Sequence, residues 1–197
     1  MVFYICFVFL ITLHCVSSFK KAKEKVMTTL IETPRLIMRE FTLDDLDAVF
    51  EFSKEPEVMK LTGEACVENI EQARKIITDI WLPEYKQYGY ARYALVHKGD
   101  NKVIGFCGLK FMPAGEIGDN KAAPDIGYRM LKKYWSQGLG FEAANAAMQY
   151  GINTLGLTGI FGDAVVENTA SIRILEKIGL KYERQFEYEG FVVNRYS

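Results

Sequence analysis

Two glycines, Gly138 and Gly140, stand two positions apart in the segment "QGLG", after a basic aromatic stretch and before an alanine-rich run. The run predicts a helix, so the glycines lie at its start. The first amides of a helix have no partner within it, and glycines without side chains let a phosphate or pyrophosphate approach them. The alternative is a helix-starting turn in which the glycines only relieve backbone strain. The spacing is neither a dinucleotide fingerprint nor a P-loop.

Short extended patterns precede and follow this segment. "RLIMREF" alternates as a strand, and "YARYALVHK" and "KVIGFCGLKFM" flank "GDN", whose turn chemistry predicts an antiparallel hairpin. "DIGYRML" predicts a strand directly before the glycine pair. A further strand to about Val166 and a closing hairpin in "FEYEGFVVNRYS", with Glu189 and Gly190 at its turn, complete the extended elements.

Four helical regions alternate with these strands. The first begins after Thr42, the second runs from about Val67 to Tyr88 with Pro83 as a kink or break, the third follows the glycine pair, and the fourth runs from about Thr169 to Gly179. The apolar stripes expected to be buried are Leu43, Leu46, Val49 and Phe50; Ile70, Ala73, Ile77 and Ile80; Phe141, Ala144, Met148, Ile152 and Leu155; and Ile172, Leu175 and Ile178.

The composition bounds the possible functions. A chain of 197 residues with 49% apolar and 25% charged residues is long enough for one domain with a sizeable core. The net charge is -1 and no long Lys/Arg block occurs, so a nucleic-acid partner is not expected. Cys66 and Cys107 lie far apart without metal-ligand spacing, and no metal site is predicted.

The segment from Val2 to Val16 is almost purely apolar, and four lysines follow it. It lacks the basic residues that precede the apolar region of a signal peptide, and it is short for a membrane anchor. We favour a third interpretation, in which residues 1–26 are an upstream extension and translation starts at Met27, although export or anchoring stays open. The predicted domain is therefore residues 27–197, which are mildly acidic.

The stretch "GIFGDAVVENTASIRILEKIGLKYE", taken with "IGYRML" and "YWSQGLGFEA", resembles the GNAT superfamily of acetyl-CoA-dependent N-acetyltransferases, in particular its ribosomal-protein N-terminal acetyltransferase (Rim-type) branch. The resemblance covers Leu30 to Tyr196, with several separated motifs in the family order. It implies a single α/β domain with a mixed, mostly antiparallel sheet of six to seven strands flanked by helices. Donor and acceptor would enter from opposite sides of a splay between two strands.

The resemblance also implies donor contacts. The loop backbone would hold the CoA pyrophosphate, the end of the preceding strand would meet pantetheine, and the "ENTAS" motif would lie near pantetheine and the sulfur. The residues concerned are Gln137, Gly138, Leu139, Gly140 and Phe141 for the loop, Met130 and Leu131 for the strand, and Asn168 and Ser171 for the motif. The alternatives are a helix cap for Asn168 and an ordinary first-turn hydroxyl for Ser171. Trp135 replaces the family's usual Arg or Gln, which shifts any loop side-chain contact to Gln137.

Acetyl transfer to an amine needs proton handling. The amine must lose a proton to attack the thioester, and the thiolate of CoA must gain one. We expect Ser171 to act as the acid near the sulfur and Asp125 as the base through water. Asp125 could instead pair with a lysine or arginine on a neighbouring strand, and Glu64 and Glu116 are weaker base candidates.

The acceptor pocket implied by the resemblance lies against the N-terminal helices and nearby strands. Its candidate walls are Trp81, Tyr85, Tyr88 and Tyr93, each of which could equally be ordinary core. An acidic domain mildly favours a cationic acceptor such as a peptide N-terminus, a polyamine or an aminoglycoside.

The sequence therefore predicts a cytoplasmic N-acetyltransferase that moves an acetyl group from acetyl-CoA to a primary amine by direct attack, with a homodimer possible. Two alternatives stay open. One is a CoA-binding module without catalysis, and the other is an exported or membrane-tethered interaction protein, which only Val2 to Val16 support.

Overall fold

The computed structural model describes residues 29–60, 62, 64–116 and 121–197. The apolar segment of residues 1–26 lies outside them. The strands are β1 (Thr29–Glu32), β2 (Leu36–Arg39), β3 (Arg92–His97), β4 (Lys102–Met112), β5 (Ala123–Met130), β6 (Gly162–Val165), β7 (Tyr182–Tyr188) and β8 (Phe191–Tyr196). The α-helices are α1 (Leu46–Lys54), α2 (Pro56–Met59), α3 (Ile70–Lys75), α4 (Leu82–Tyr88), α5 (Leu139–Asn153) and α6 (Thr169–Lys177), with a π-helical segment Ile76–Trp81 between α3 and α4.

The strands form two sheets that meet at one point. β1 to β5 pair antiparallel in chain order, and β6, β8 and β7 form a second antiparallel sheet. A parallel bridge between Asp125 in β5 and Phe161, just before β6, joins the sheets. Its hydrogen bonds run from the N–H of Ile126 to the carbonyl of Phe161 at 2.8 Å and from the N–H of Phe161 to the carbonyl of Pro124 at 3.0 Å. Beyond the bridge β6 pairs with β8, so β5 and β6 splay apart.

The predicted α/β architecture is confirmed, with eight strands among the described residues where the sequence indicated six or seven. The hairpin of β3 and β4 and the closing hairpin of β7 and β8 form as predicted. Glu189 and Gly190 connect the latter with φ of 48° and 82°, the left-handed conformations that suit a tight hairpin turn.

The first helical region begins where the sequence predicts. Thr42 and Asp45 form a capping box around the 3-10 turn Leu43–Asp45, which continues into α1. Arg39 holds the Asp45 carboxylate with two hydrogen bonds of 2.8 and 2.7 Å, so a buried ion pair fixes the helix start. Leu43 is exposed, contrary to the predicted stripe, because it lies in this turn before α1.

The second helical region is continuous across Pro83. The π-helical segment ends just before α4, and Pro83 sits in the first turn of α4, so the wider turn accommodates the residue that has no N–H. Ala73 and Ile77 are buried as predicted, whereas Ile70 and Ile80 are exposed.

The third predicted stripe is partly wrong. The alanine-rich face of α5 packs on the sheet so closely that a Cβ on Gly151 would lie 2.5 Å from Leu109 Cδ1. Small residues therefore occupy this contact, and Phe141 and Ile152 are exposed. In α6, Leu175 is buried as predicted, and Gly179 closes the helix with φ 102°.

The two sides of the five-stranded sheet serve different partners. Phe106 in β4 meets Trp81 edge-on, with ring centroids 5.9 Å apart, so its side faces the N-terminal helices. Leu109, at odd spacing from Phe106, meets α5 on the other side. Across residues 29–60, 62, 64–116 and 121–197, no helix combines the length and apolarity needed to span a membrane.

Candidate active site between the two sheets

A cavity of about 500 Å³ opens where β5 and β6 splay. Strands of both sheets, α1, the π-helical segment and α6 form its walls. Polar or charged residues on these walls include Ser53, Thr62, Glu64, Arg92, Lys110, Asp125, Tyr128, Arg129, Asp163, Asn168, Ser171, Tyr188 and Glu189. The cavity therefore combines contributions from both sides of the sheet.

The glycine loop leaves the start of α5 without a side-chain cap. Gly138 precedes the helix with φ 78°, and the first amide bonded to its carbonyl is that of Glu142, at 3.1 Å. The N–H groups of Leu139, Gly140 and Phe141 thus lie in the first turn, where helix amides have no partner within the helix. A Cβ on Gly140 would lie 3.0 Å from Ile174 Cδ1, so glycine also permits close packing against α6.

The turn between β1 and β2 anchors this loop. Arg35 Nη1 donates to the carbonyl of Gln137 at 2.8 Å, and Arg35 Nε donates to Glu142 Oε2 at 2.6 Å. Thr33 Oγ1 donates to Glu142 Oε1 at 2.6 Å. Burial opposes ionisation of Glu142, but the hydrogen bonds from Thr33 and Arg35 and the arginine charge prevail and lower its pKa. The Gln137 amide donates to the carbonyl of Lys133 at 2.9 Å, so this side chain braces its own turn.

The end of β5 matches only part of the expected pantetheine contact. Leu131 donates its N–H to Ile104 at 2.9 Å and accepts from Tyr134 at 3.0 Å, which leaves it no available N–H. Because Ile126 directs its backbone to Phe161, the alternation along β5 directs the backbone of Met130 into the splay. The indole N–H of Trp135 donates a hydrogen bond of 2.7 Å to the Met130 carbonyl. The N–H of Met130 therefore fits the predicted pantetheine contact, whereas the N–H of Leu131 does not.

The "ENTAS" motif caps α6 beside the cavity. Asn168 Oδ1 accepts from the N–H of Ser171 at 3.1 Å, which is the helix cap that the sequence allowed as an alternative. The Tyr128 hydroxyl donates to the carbonyl of Ser171 at 3.1 Å and ties β5 to α6 across the splay. Burial raises the pKa of Tyr128, so its phenol keeps the proton at neutral pH. Asn168 and Ser171 both line the cavity.

Asp125 makes the ion pair that the sequence left open, but its partner lies two strands away. Arg92 in β3 reaches across β4 and bonds the carbonyls of Gly108 at 2.6 Å and Asp125 at 2.7 Å, and its Nη2 bonds the Asp125 carboxylate. A Cβ on Gly127 would lie 2.5 Å from Arg92 Nη2, so glycine is needed along this path. Burial raises the pKa of Asp125, against the opposing charges of Arg92 and Lys110.

A second carboxylate, which the sequence reasoning missed, faces the cavity from β6. Asp163 accepts two hydrogen bonds from Arg195, at 2.9 and 2.7 Å. Burial raises the pKa of Asp163, and the nearby Asp125 carboxylate adds to the effect. The available signal was a charged residue inside a short, otherwise apolar strand, "GDAV", which is unusual unless the charge is paired.

Of the four predicted acceptor walls, only Trp81 lines the cavity. The Tyr85 hydroxyl instead bonds the backbone of Phe41 and Arg92, and Tyr88 stacks on Phe111. Tyr93 follows Arg92 in β3 and so points to the opposite side of the sheet, where it meets Tyr150 of α5. These three tyrosines belong to the core and its margin.

The two weaker base candidates differ in position. Glu64 lines the cavity, and its carboxylate accepts from Arg129 Nη2 at 2.7 Å. Glu116 lies beyond β4, exposed and outside the cavity lining. No group of three or more His, Cys, Asp or Glu side chains in the described part of the chain is placed to hold a metal ion.

The fold is that of a single-domain α/β protein with a cavity between splayed strands. The chain belongs to the GNAT acetyltransferase family, because the family model described as Acetyltransferase (GNAT) domain matches residues 35–181. It is 29% identical over 167 residues to the uncharacterized N-acetyltransferase YoaA of Bacillus subtilis (strain 168), an alignment that covers 83% of this chain and 91% of YoaA. The protein is therefore an N-acetyltransferase of this family, which uses acetyl-CoA.

Solved structures agree with this fold. A GNAT-family acetyltransferase from Bacillus anthracis is 27% identical, with a TM-score of 0.70 over 84% of this chain and 95% of that one. RimL, a ribosomal α-N-protein acetyltransferase solved with coenzyme A, is 20% identical with a TM-score of 0.68, over 86% of this chain and 96% of RimL. At that identity the likeness to RimL extends to the fold alone.

Proposed function

We propose that this chain transfers the acetyl group of acetyl-CoA directly to a primary amine inside the splay between β5 and β6. The observation that supports this proposal is that the uncapped start of α5 packs beside α6 and the end of β5, the two elements that border the splay. A Cβ on Gly140 would lie 3.0 Å from Ile174 Cδ1 and 3.7 Å from Met130 Cε, and the cavity opens between β5 and β6. The donor thioester and the amine then reach each other from opposite sides of the sheet. Direct attack needs no covalent enzyme intermediate.

The donor half of the proposal uses backbone groups. The amides of Leu139, Gly140 and Phe141 donate to the CoA pyrophosphate, and the dipole of α5 favours its negative charge. Arg35 supports the loop through Gln137 without having to touch the phosphates. Pantetheine runs along the open edge of β5, where the N–H of Met130 donates to one of its amide carbonyls. Asn168 fixes the turn of α6 that faces the thioester.

The acceptor half uses the side of the sheet that carries Trp81 and Asp125. Asp125 takes the proton of the ammonium group through water, because a buried carboxylate with a raised pKa is a better proton acceptor than an exposed one. The attack forms a tetrahedral intermediate, which collapses and expels the thiolate of CoA. Ser171 donates its hydroxyl proton to that sulfur and regains one from the acetylated nitrogen, which must lose its second proton as the amide forms. Arg92 holds the Asp125 carboxylate in position.

Thermal unfolding of the full-length chain with acetyl-CoA, CoA or ATP tests the donor site. A ligand present at about 100 times its Kd adds roughly 2.7 kcal/mol of stability, so we expect a Tm increase on the order of 5–10 °C with both CoA forms and none with ATP. Release of CoA thiol with a panel of amines then tests transfer. A Tm increase without turnover of any amine would favour the non-catalytic alternative.

A matched pair of variants controls for backbone strain. Gly138 and Gly156 both have left-handed φ, of 78° and 65°, so alanine is strained at either position. Only Gly138 lies in the loop, and we expect Gly138→Ala to reduce the Tm increase given by CoA while Gly156→Ala retains it. Equal responses of the two variants would place the pyrophosphate elsewhere.

A further inference from the structure

Two polar atoms in the cavity wall are buried and, among the described residues, make no hydrogen bond. Ser53 Oγ belongs to α1, and the residue is 1% exposed. Arg129 Nε belongs to β5, and its side chain is 8% exposed. A third such atom, Glu84 Oε2, does not border the cavity. Because buried polar groups are nearly always paired, two unpaired atoms on residues that border the same cavity are candidates for hydrogen bonds to a ligand that binds there.

The Arg129 guanidinium is fixed in position. Its Nη2 donates to Glu64 at 2.7 Å, and its carbon lies 5.1 Å from the centroid of the Phe106 ring. Phe106 is itself held edge-on by Trp81 and Phe52, at centroid distances of 5.9 and 6.1 Å. The guanidinium therefore has aromatic packing on one side and a carboxylate on one nitrogen, which restricts the direction of its Nε–H.

The chemistry of these atoms selects the partner. A guanidinium only donates hydrogen bonds, and a serine hydroxyl can donate one, so the complementary atom is an oxygen acceptor. A simple alkylammonium brings only donors and a like charge, which Arg129 repels. Arg129 and the proposed base Asp125 are four residues apart in β5 and project from the same side of the sheet, so an oxygen bound by Arg129 lies on the acceptor side.

We infer that the acceptor of this enzyme carries a carbonyl or carboxylate oxygen next to its amino group, as amino acids and peptide N-termini do, and that Arg129 and Ser53 bind this oxygen. The inference rests on the acetyl-transfer function proposed above. Binding of this oxygen makes Arg129 and Ser53 determinants of acceptor specificity on the side of the cavity away from α5. Polyamines lack the oxygen and are poor acceptors.

The test compares three amines of similar size with the full-length protein and saturating acetyl-CoA. Alaninamide offers a neutral carbonyl, alanine offers a carboxylate, and sec-butylamine offers neither. Rates are expressed per unprotonated amine, because the amino pKa of an α-amino amide such as alaninamide is about 2 to 3 below that of an alkylamine. We expect kcat/KM for at least one oxygen-bearing amine to exceed that for sec-butylamine tenfold or more. The ratio of alanine to alaninamide distinguishes a carboxylate from a carbonyl site.

Variants connect this preference to the two residues. Arg129→Lys keeps the charge near Glu64 but removes Nε, and Ser53→Ala removes only the hydroxyl. Each should reduce the preference for the oxygen-bearing amine at least fivefold, with sec-butylamine rates and the KM for acetyl-CoA unchanged. Arg74→Lys is the control, because Arg74 is exposed and pairs with Glu71 outside the cavity.

Two readouts separate this inference from the proposed function. Equal use of all three amines, or an equal loss for all three in Arg129→Lys, overturns the inference and leaves acetyl transfer intact. If no amine is acetylated, thermal unfolding of the CoA complex decides. Stabilisation by an oxygen-bearing amine that is lost in Arg129→Lys supports the acceptor site while the proposed transfer fails. If none of the three amines stabilises the complex, the inference is overturned, and the wider amine panel decides whether acetyl transfer occurs.

Discussion

At the scale of single residues, Asp125 and Ser171 differ in what else depends on them. Asp125 faces the cavity from β5 and also forms an ion pair with Arg92. Ser171 lies at the start of α6, and its N–H donates to Asn168 Oδ1. An asparagine at 125 still offers Arg92 an oxygen, and an alanine at 171 keeps its backbone N–H. Both substitutions therefore test chemistry while the surrounding hydrogen bonds remain.

We expect Asp125→Asn to lower kcat about a hundredfold, because a positioned general base contributes at least about that factor. It should also abolish the rise of the rate with pH that deprotonation of Asp125 gives. Ser171→Ala should also lower kcat about a hundredfold, with an unchanged KM for acetyl-CoA. Steady-state thiol release measures both, and Thr169→Ala, at an exposed position on the same helix turn, is the control. Wild-type turnover in both variants would refute both assignments.

Residue positions show where sequence reasoning reached its limit. The alternation of side chains along β3 is predictable from the sequence, but the side of the sheet that faces the cavity is not. The sequence therefore predicts Tyr93 as a wall of the acceptor pocket, whereas its neighbour Arg92 lines the cavity. The path of Arg92 to Asp125 requires Gly108 and Gly127 to lie opposite each other. Register between strands is a long-range property, and no local pattern contains it.

At the scale of elements, the turn between β1 and β2 and the start of α5 form one unit through Glu142. The lowered pKa of Glu142 means that its ionised form is bound more tightly in the folded chain than in the unfolded one. Its contribution to stability is therefore complete above the unfolded pKa of about 4.3 and is lost as the pH falls through the lower folded value.

We expect Glu142→Gln to lower the free energy of unfolding by about 1 kcal/mol at pH 7, a value reduced for the partial exposure of Arg35. The difference from wild type should shrink toward zero as the pH falls below about 4. Because Arg35 also holds Gln137, the variant should raise the KM for acetyl-CoA without changing that of the amine. Urea unfolding at several pH values measures the first effect. Glu176→Gln, on the exposed side of α6, should show neither effect.

Elements defined by local chemistry were the predictable ones. The Thr42 helix start, the Asn168 cap and the turn at Glu189 and Gly190 each follow from residues within one turn of chain. The π-helical segment Ile76–Trp81 was not predicted. Its wider turn accommodates Pro83, which follows just after the segment ends. The buried face of α5 was predicted only in part: Ala144 and Met148 are buried, whereas Phe141 and Ile152 are exposed. The close contact with Leu109 selects small residues over large apolar ones.

At the scale of the whole molecule, the two sheets are joined at the Asp125–Phe161 bridge, and the contact from Tyr128 to Ser171 ties β5 to α6. Beyond the bridge, the open edge of β5 presents backbone groups to the cavity and not to another strand. A ligand with its own amide groups can hydrogen-bond this edge as a strand would. Donor binding should therefore stabilise the connection between the sheets as well as the glycine loop.

Amide hydrogen exchange with and without CoA measures this coupling. We expect slower exchange for Met130 and for the loop amides of Leu139 to Phe141, which gain acceptors. The N–H of Leu131 is the internal control, because it already donates to Ile104 and should change little. Protection should also appear in α6, since closing the splay holds Tyr128 against Ser171. Protection limited to the start of α5 would mean that the pyrophosphate binds without pantetheine entering the splay, and acetyl transfer could not then take place between the sheets.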